Sequence, residues 1–169
     1  MQNFIEGIKQ KAKENPKRIV FPEGIEERIL KATEIIIKEG IAKPILVGNQ
    51  EEILTKAKEL GVDISKAEIV DPETSEQTEK YAKKLFELRQ EKGVEEMNHF
   101  GTMMVEAGDA DGMVSGTIHP TADTIRPALQ IIKTKEKFHK VSGVFFMMLE
   151  DKLLLFADAA ITINPNSRE

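Results

Sequence analysis

The sequence predicts an α/β fold, a three-layer α/β/α arrangement on a mostly parallel sheet. Three observations carry this. Short apolar runs alternate with stretches whose apolar residues recur at helical spacing. Gly, Pro or Asn marks most of the junctions between them. The connections are short, and a strand–helix–strand order with short turns implies parallel strands joined by right-handed crossovers.

The elements follow in order. Met1 to Asn15 carries Phe4, Ile5, Ile8 and Ala12 at helical spacing, and Pro16 ends it. Arg18 to Pro22 is a short apolar run stopped by Pro22-Glu23-Gly24, which reads as a buried strand. Glu26 to Lys38 is helical, with Ile29, Leu30, Thr33, Ile36 and Ile37 on one side and Gly40 where a closing glycine belongs. Pro44 to Val47 is the next strand, ended by Gly48-Asn49. Gln50 to Leu60 is a helix followed by Gly61, and Ala67 to Val70 is a strand ended by Asp71-Pro72. Thr74 or Ser75 then caps a long helix running to about Lys92, acidic early and basic later, as the helix dipole favours. Val141 to Leu149 and Leu153 to Ala160 are apolar runs around Glu150-Asp151-Lys152 and read as adjacent strands. Met103, Met104, Met147 and Met148 read as core fillers.

Composition bounds the function. The chain has 169 residues, 24 basic against 29 acidic, for a net charge of −5. A 40% apolar content suffices for a core in one ordinary domain or two small lobes. No cysteine is present, which excludes disulfides, thiolate metal sites and a cysteine nucleophile. An acidic balance without a basic stripe argues against nucleic acid. No apolar run reaches a membrane span and no signal-peptide stretch opens the chain, so a soluble cytoplasmic protein is expected. His99, His119 and His139 stand twenty residues apart, and no short-spaced pair offers a metal site.

Charge is unevenly spread. Residues 50–97 hold 21 charged residues in 48, whereas residues 98–132 hold five in 35. Sparse charge with many Gly, Thr, Met and Ser describes a buried or ligand-facing segment. Within it, Asp111 to Thr117 reads as a strand entering a small-residue turn, and Thr121 opens a helix through Ile132. Free backbone amides at such a turn, the hydroxyls of Ser115, Thr117 and Thr121, and the guanidinium of Arg126 would suit a small phosphorylated substrate. A plainer reading stands beside this one. Thr121 or Asp123 caps the helix, Arg126 pairs with Asp111 or Glu106, and Gly116 is only a turn. His119, inside the same turn, serves either as acid, base or ligand contact, or merely as a structural side chain. Arg89, at the end of the charged helix, reads from spacing alone as a solvated face residue.

Three blocks resemble a known family. They are Phe100-Gly101-Thr102-Met103-Met104-Val105, then Gly108 to Gly116, then Thr121-Ala122-Asp123-Thr124-Ile125-Arg126-Pro127-Ala128 on to Thr134. Together they closely resemble phosphate acetyltransferases. Val141 to Met147, Phe156 to Ala160, Asn164-Pro165-Asn166, Arg18 to Gly24 and Glu87-Leu88-Arg89 continue the likeness over nearly the whole chain. The resemblance implies reversible acetyl transfer between coenzyme A and inorganic phosphate through acetyl phosphate. Coenzyme A or acetyl-CoA is then a substrate, with no tightly bound cofactor and no metal. It also implies a homodimer of two-domain α/β subunits with the site in the cleft between domains. Residues 1–140 would form the first domain and residues 141–169 the start of a second. Two family arginines that bind phosphate or coenzyme A map onto Arg89 and Arg126, and the Ser115-Gly116-Thr117 turn would lie against the phosphate. The catalytic base stays unknown.

Two departures matter. The family has about ten more residues between Gly93 and Phe100 than the short link near Met97-Asn98. It also runs to about twice this length, and its Ser-Arg-Gly element falls in the missing part. Ser167-Arg168 is better read as the cap and first turn of a next helix. If Leu153 to Ala160 is a central strand, its edge is bare, so a longer protein or a partner chain is expected to cover it. The isolated 169 residues are expected to have little or no activity. A phosphate butyryltransferase, or a non-catalytic acetyl-CoA-sensing module of the same fold, remains open.

Overall fold

The computed structural model describes residues 2–89, 97–134, 141–150, 152–158 and 161. The expected helix end at Lys92, the last residues of the strand ending at Ala160, His139, and the helix start at Ser167-Arg168 lie outside these residues. Two compact units are present. One comprises residues 10–132, the other residues 1–9 with 133–169. Helix α1 (Gln2–Glu14) opens the chain.

The larger unit holds a four-stranded parallel sheet in the order β3-β2-β1-β4. Central β1 (Lys17–Phe21) pairs with β2 (Ala42–Val47) on one side, Val20 opposite Ile45. On its other side it pairs with β4 (Gly112–Met113), Val20 opposite Met113. β3 (Glu68–Val70) lies beyond β2. Strand alternation divides the core into two layers. Val20, Ile45 and Val47 meet Tyr81, Phe100, Met103, Met104 and Ile131. Those residues come from α4 (Gln77–Arg89), α5 (Met97–Ala107) and α6 (Thr121–Ile131). Phe21 and Leu46 point to the opposite face. There they meet Ile29 and Leu30 of α2 (Glu27–Glu39) and Ile53 and Ala57 of α3 (Gln50–Leu60). The three-layer α/β/α expectation is thus met.

Local chemistry sets the boundaries. Glu26 caps α2, its carboxylate accepting from the amides of Arg28 and Ile29, and Asn49 does the same for α3. Gly40 and Gly61 close those helices in the left-handed region at φ +66°, where a Cβ would be strained. Ser75, not Thr74, turns its hydroxyl to the first turn of α4, accepting from the amide of Gln77 at 3.3 Å.

Two expectations need correcting, and one helix goes unforeseen. The strand expected over Asp111 to Thr117 pairs only at Gly112–Met113, because the following residues leave the sheet to form a turn. Helix α5 is not anticipated by the periodicity. Met103 and Met104 are buried as expected, but Met147 and Met148 are exposed. Both lie in the smaller unit, where β5 (Val144–Met148) and β6 (Leu153–Ala157) are the expected adjacent strands, paired antiparallel.

Candidate functional site

The sheet order locates the site. From β1 the chain crosses to β2 and on to β3, moving one way, and then returns to place β4 on the other side of β1. Open parallel α/β sheets bind ligands outside the carboxyl ends of their strands, at the point where the order reverses. Here that point lies between β1 and β4. Two segments leave the sheet there: Pro22-Glu23-Gly24 after β1, and Val114 to Pro120 after β4.

Glu23 joins them. It is 4% exposed, and its carboxylate gathers the turn that follows β4. Oε2 accepts from the amides of Gly116 (3.2 Å) and Thr117 (2.8 Å). Oε1 accepts from the amides of Ile118 (2.9 Å) and His119 (3.1 Å), and lies 2.7 Å from His119 Nδ1. Burial pushes the Glu23 pKa up, but the hydrogen bonds from Ile118, Thr117 and His119 outweigh it and lower it from 4.5 to about 2. The group is therefore an anion at neutral pH. Gly116 makes the wrap feasible at φ +105°. Arg28 Nη2 adds a bond to the carbonyl of Thr117 at 2.9 Å. The close approach of Gly24 to β2 holds the other segment, since a Cβ there would meet the Val47 carbonyl oxygen at 2.6 Å.

Buried Asn98 supports the turn from α5. Its Oδ1 accepts from the Ser115 hydroxyl at 2.6 Å, and Thr102 Oγ1 donates to its carbonyl at 2.7 Å. Its Nδ2 reaches the carbonyl of Asp123 at 3.5 Å. That carbonyl has no N–H four residues on, because Pro127 lies inside α6 and lacks one.

The expected site residues fall as follows. Ser115, Gly116 and Thr117 share the turn, and Thr121 and Arg126 lie on the helix that follows it. Arg89 is the last residue of α4, and its side chain lies outside the described residues. The backbone amides at residues 116–119, expected to cradle a substrate anion, hold the chain's own Glu23. Neither Thr121 nor Asp123 caps α6. Pro120 occupies that position and makes no side-chain bond, since proline has no donor or acceptor to offer. Arg126 is exposed and pairs with Asp123 at 3.0 Å, one helical turn away. It does not pair with Asp111, which holds Arg18, or with Glu106, which holds Lys84. The hydroxyls of Thr117 and Thr121 bond no other described residue, whereas Arg126 already holds its pair with Asp123. Sequence reasoning missed Glu23 and Asn98. The signal for Glu23 was a carboxylate set between Pro22 and Gly24 directly after a buried strand.

A sequence model of the family described as phosphate acetyl/butaryl transferase matches residues 3–169. The chain belongs to this family. The phosphate acetyltransferase of Clostridium acetobutylicum is 48% identical over 182 residues, covering 99% of this chain and 55% of that protein. The phosphate acetyltransferase of Bacillus subtilis is 44% identical over 177 residues, covering 100% of this chain and 55% of that protein. A phosphotransacetylase structure from Streptococcus pyogenes matches with a TM-score of 0.90 at 39% identity, covering 98% of this chain and 53% of that one. The chain spans about half the length of the curated relatives it matches. Both sequence alignments are longer than the chain, so the relatives carry residues inside the matched span that it lacks. Among the described residues of this family member, no group of three or more His, Cys, Asp or Glu could hold a metal. No described helix is long and apolar enough to cross a membrane.

Proposed function

We propose that the protein carrying this chain transfers an acetyl group reversibly between coenzyme A and inorganic phosphate, with acetyl phosphate as the other product. The observation that carries this is identity of 48% to a named phosphate acetyltransferase across nearly the whole chain. Coenzyme A and acetyl-CoA are substrates in this reading, and no tightly bound cofactor takes part. It also includes a cytoplasmic homodimer that binds neither nucleic acid nor membrane, with residues 141–169 beginning a second domain. The coenzyme A thiolate attacks the acetyl carbonyl, and phosphate leaves. Donors and fixed cations aimed at the phosphoryl oxygens and the developing oxyanion lower that barrier. In this chain Arg89, Arg126 and the hydroxyls of Thr117 and Thr121 take that part. Ser115 and Gly116 shape the turn beside them. Butyryl transfer is the second reading, because the family description covers both acyl groups.

The test is acetyl phosphate formation by the full-length protein from acetyl-CoA and phosphate, run beside butyryl-CoA. Faster turnover of butyryl-CoA reverses the choice of acyl group, and inertness toward both sinks the reading. Arg126→Ala is expected to weaken phosphate or coenzyme A handling by about 1.5–3 kcal/mol. Stability should stay within about 0.5 kcal/mol, because the exposed one-turn pair with Asp123 is worth little. Unfolding by this substitution, with normal affinity in what remains folded, would instead make Arg126 structural.

A further inference from the structure

We propose that His119 presents its Nε2 to the phosphoryl group of the substrate, and that Glu23 is the positioning residue that aims it. This rests on the acyl-phosphate reading above and adds to it a role for His119 that the sequence left open.

The turn's backbone amides are not free for a substrate anion. A Gly/Ser/Thr turn at the end of a parallel strand offers backbone amides to an anion. Here the four amides from Gly116 to His119 are taken by a carboxylate from 93 to 96 residues away. Ligand contact from this turn must therefore come from side chains. Glu23 also selects which one. An ionised carboxylate only accepts, so His119 Nδ1 at 2.7 Å carries the proton of that bond. The ring is thereby fixed in one tautomer and orientation, as a carboxylate fixes the imidazole of a hydrolase triad. Nε2 is then the working nitrogen. It accepts a hydrogen bond from a protonated phosphate when the ring is neutral, and donates to a phosphate oxygen when the ring is charged. It bonds no other described residue, and the side chain is 36% exposed. Its place is the reversal between β1 and β4, one residue ahead of the N-cap of α6. Thr117 and Thr121 flank it in sequence and supply the neighbouring hydroxyls.

A structural role for His119 is distinguishable by isosteric amides. Asparagine places an N–H where Nδ1 sits, and so keeps the bond to Glu23 while deleting Nε2. Glutamine places an N–H where Nε2 sits. In the full-length protein, His119→Asn is expected to raise the phosphate KM about 10-fold or more and leave the coenzyme A KM within about 2-fold. His119→Gln, which restores an N–H near Nε2 but loses the Nδ1 bond to Glu23, should recover only part of the loss. Glu23→Gln should raise the phosphate KM similarly, and adding it to His119→Asn should add little. Phosphate titrated into protein with 15N-labelled histidine should move the Nε2 resonance of His119 and leave that of His99 in place. Normal phosphate KM in a folded His119→Asn protein, with an unmoved Nε2 resonance, overturns the proposal. A Glu23→Gln chain that fails to fold leaves the decision to the His119 pair. Wild-type protein inert with both acyl-CoA substrates but showing the Nε2 shift would sink the transferase reading and sustain the phosphoryl contact. An active wild type with an indifferent His119 would do the reverse.

Discussion

Glu23 is a buried carboxylate whose desolvation is offset by donors from one turn, and this makes its contribution pH-dependent in a defined direction. Its folded pKa of about 2 lies below the ordinary 4.5, so the unfolded chain takes up the proton first as pH falls. The stabilisation is full above pH 4.5 and drains away between 4.5 and about 2. Glu23→Gln keeps the shape but offers one acceptor and an N–H where amides already point. It should lower the unfolding free energy by roughly 2–3 kcal/mol at pH 7. Urea denaturation of both proteins at pH 7 and pH 3 should show the gap narrowing at the lower pH, and an equal gap at both would contradict the assignment. Residues of this kind resist sequence reading. The charge-poor stretch after Met97 did point to Ser115, Thr117 and Arg126, because composition is local. What Glu23 does depends on a contact more than ninety residues away, and Asn98 likewise works through Ser115 and Asp123. The setting between Pro22 and Gly24 marks Glu23 as a fixed carboxylate but does not name its partners, and nothing in the spacing around Asn98 points to Ser115 or Asp123.

Helix α5 carries the same lesson at the scale of elements. Helices α2 and α3 were legible because each buries one stripe and ends on a left-handed glycine. In α5, Asn98 and every residue from Phe100 to Met104 are buried, so no polar face alternates with an apolar one and the helical period vanishes. The short β4 was misjudged for a related reason, since the residues after Met113 serve the turn and not the ladder. The depth of α5 has a measurable consequence at Gly101. A Cβ there would lie 2.9 Å from Pro22 Cγ and 3.1 Å from Met113 Sδ. In a helix interior with free space, Gly→Ala gains up to about 1 kcal/mol. Here crowding should reverse the sign, for a net loss of about 1–3 kcal/mol. Because Pro22 precedes Glu23 and Met113 precedes the turn, the displaced residues are those that carry the site. Thermal denaturation of Gly101→Ala should therefore give a lower Tm and a raised phosphate KM together. A higher Tm would mean the helix does not approach β1 this closely.

At the scale of the molecule, the two units differ in how they satisfy their apolar surface. Residues 10–132 bury theirs on both faces of one sheet, whereas the β5–β6 pair exposes Phe145, Phe146, Met147, Leu155 and Phe156. Phe145 stands opposite Phe156, and Phe146 opposite Leu155, so the two faces of the hairpin are both apolar. Sheets of that pattern are buried on both sides, and a lone two-stranded hairpin is marginal in water. If these strands begin a second domain, as we propose, a chain of the relatives' length covers them with its remaining residues. The 169-residue polypeptide by itself should then associate through the hairpin. Replacing Phe145 and Phe156 together by Ser removes one facing pair. In the 169-residue polypeptide this should suppress concentration-dependent light scattering and leave the unfolding of residues 10–132 unchanged. In the full-length protein the same substitutions should destabilise by about 3 kcal/mol or more, because there the rings fill a core. Opposite signs in the two contexts are the expected result. A 169-residue polypeptide that stays monodisperse with both rings intact, or a full-length protein indifferent to their loss, would show that these faces are not an interior in waiting.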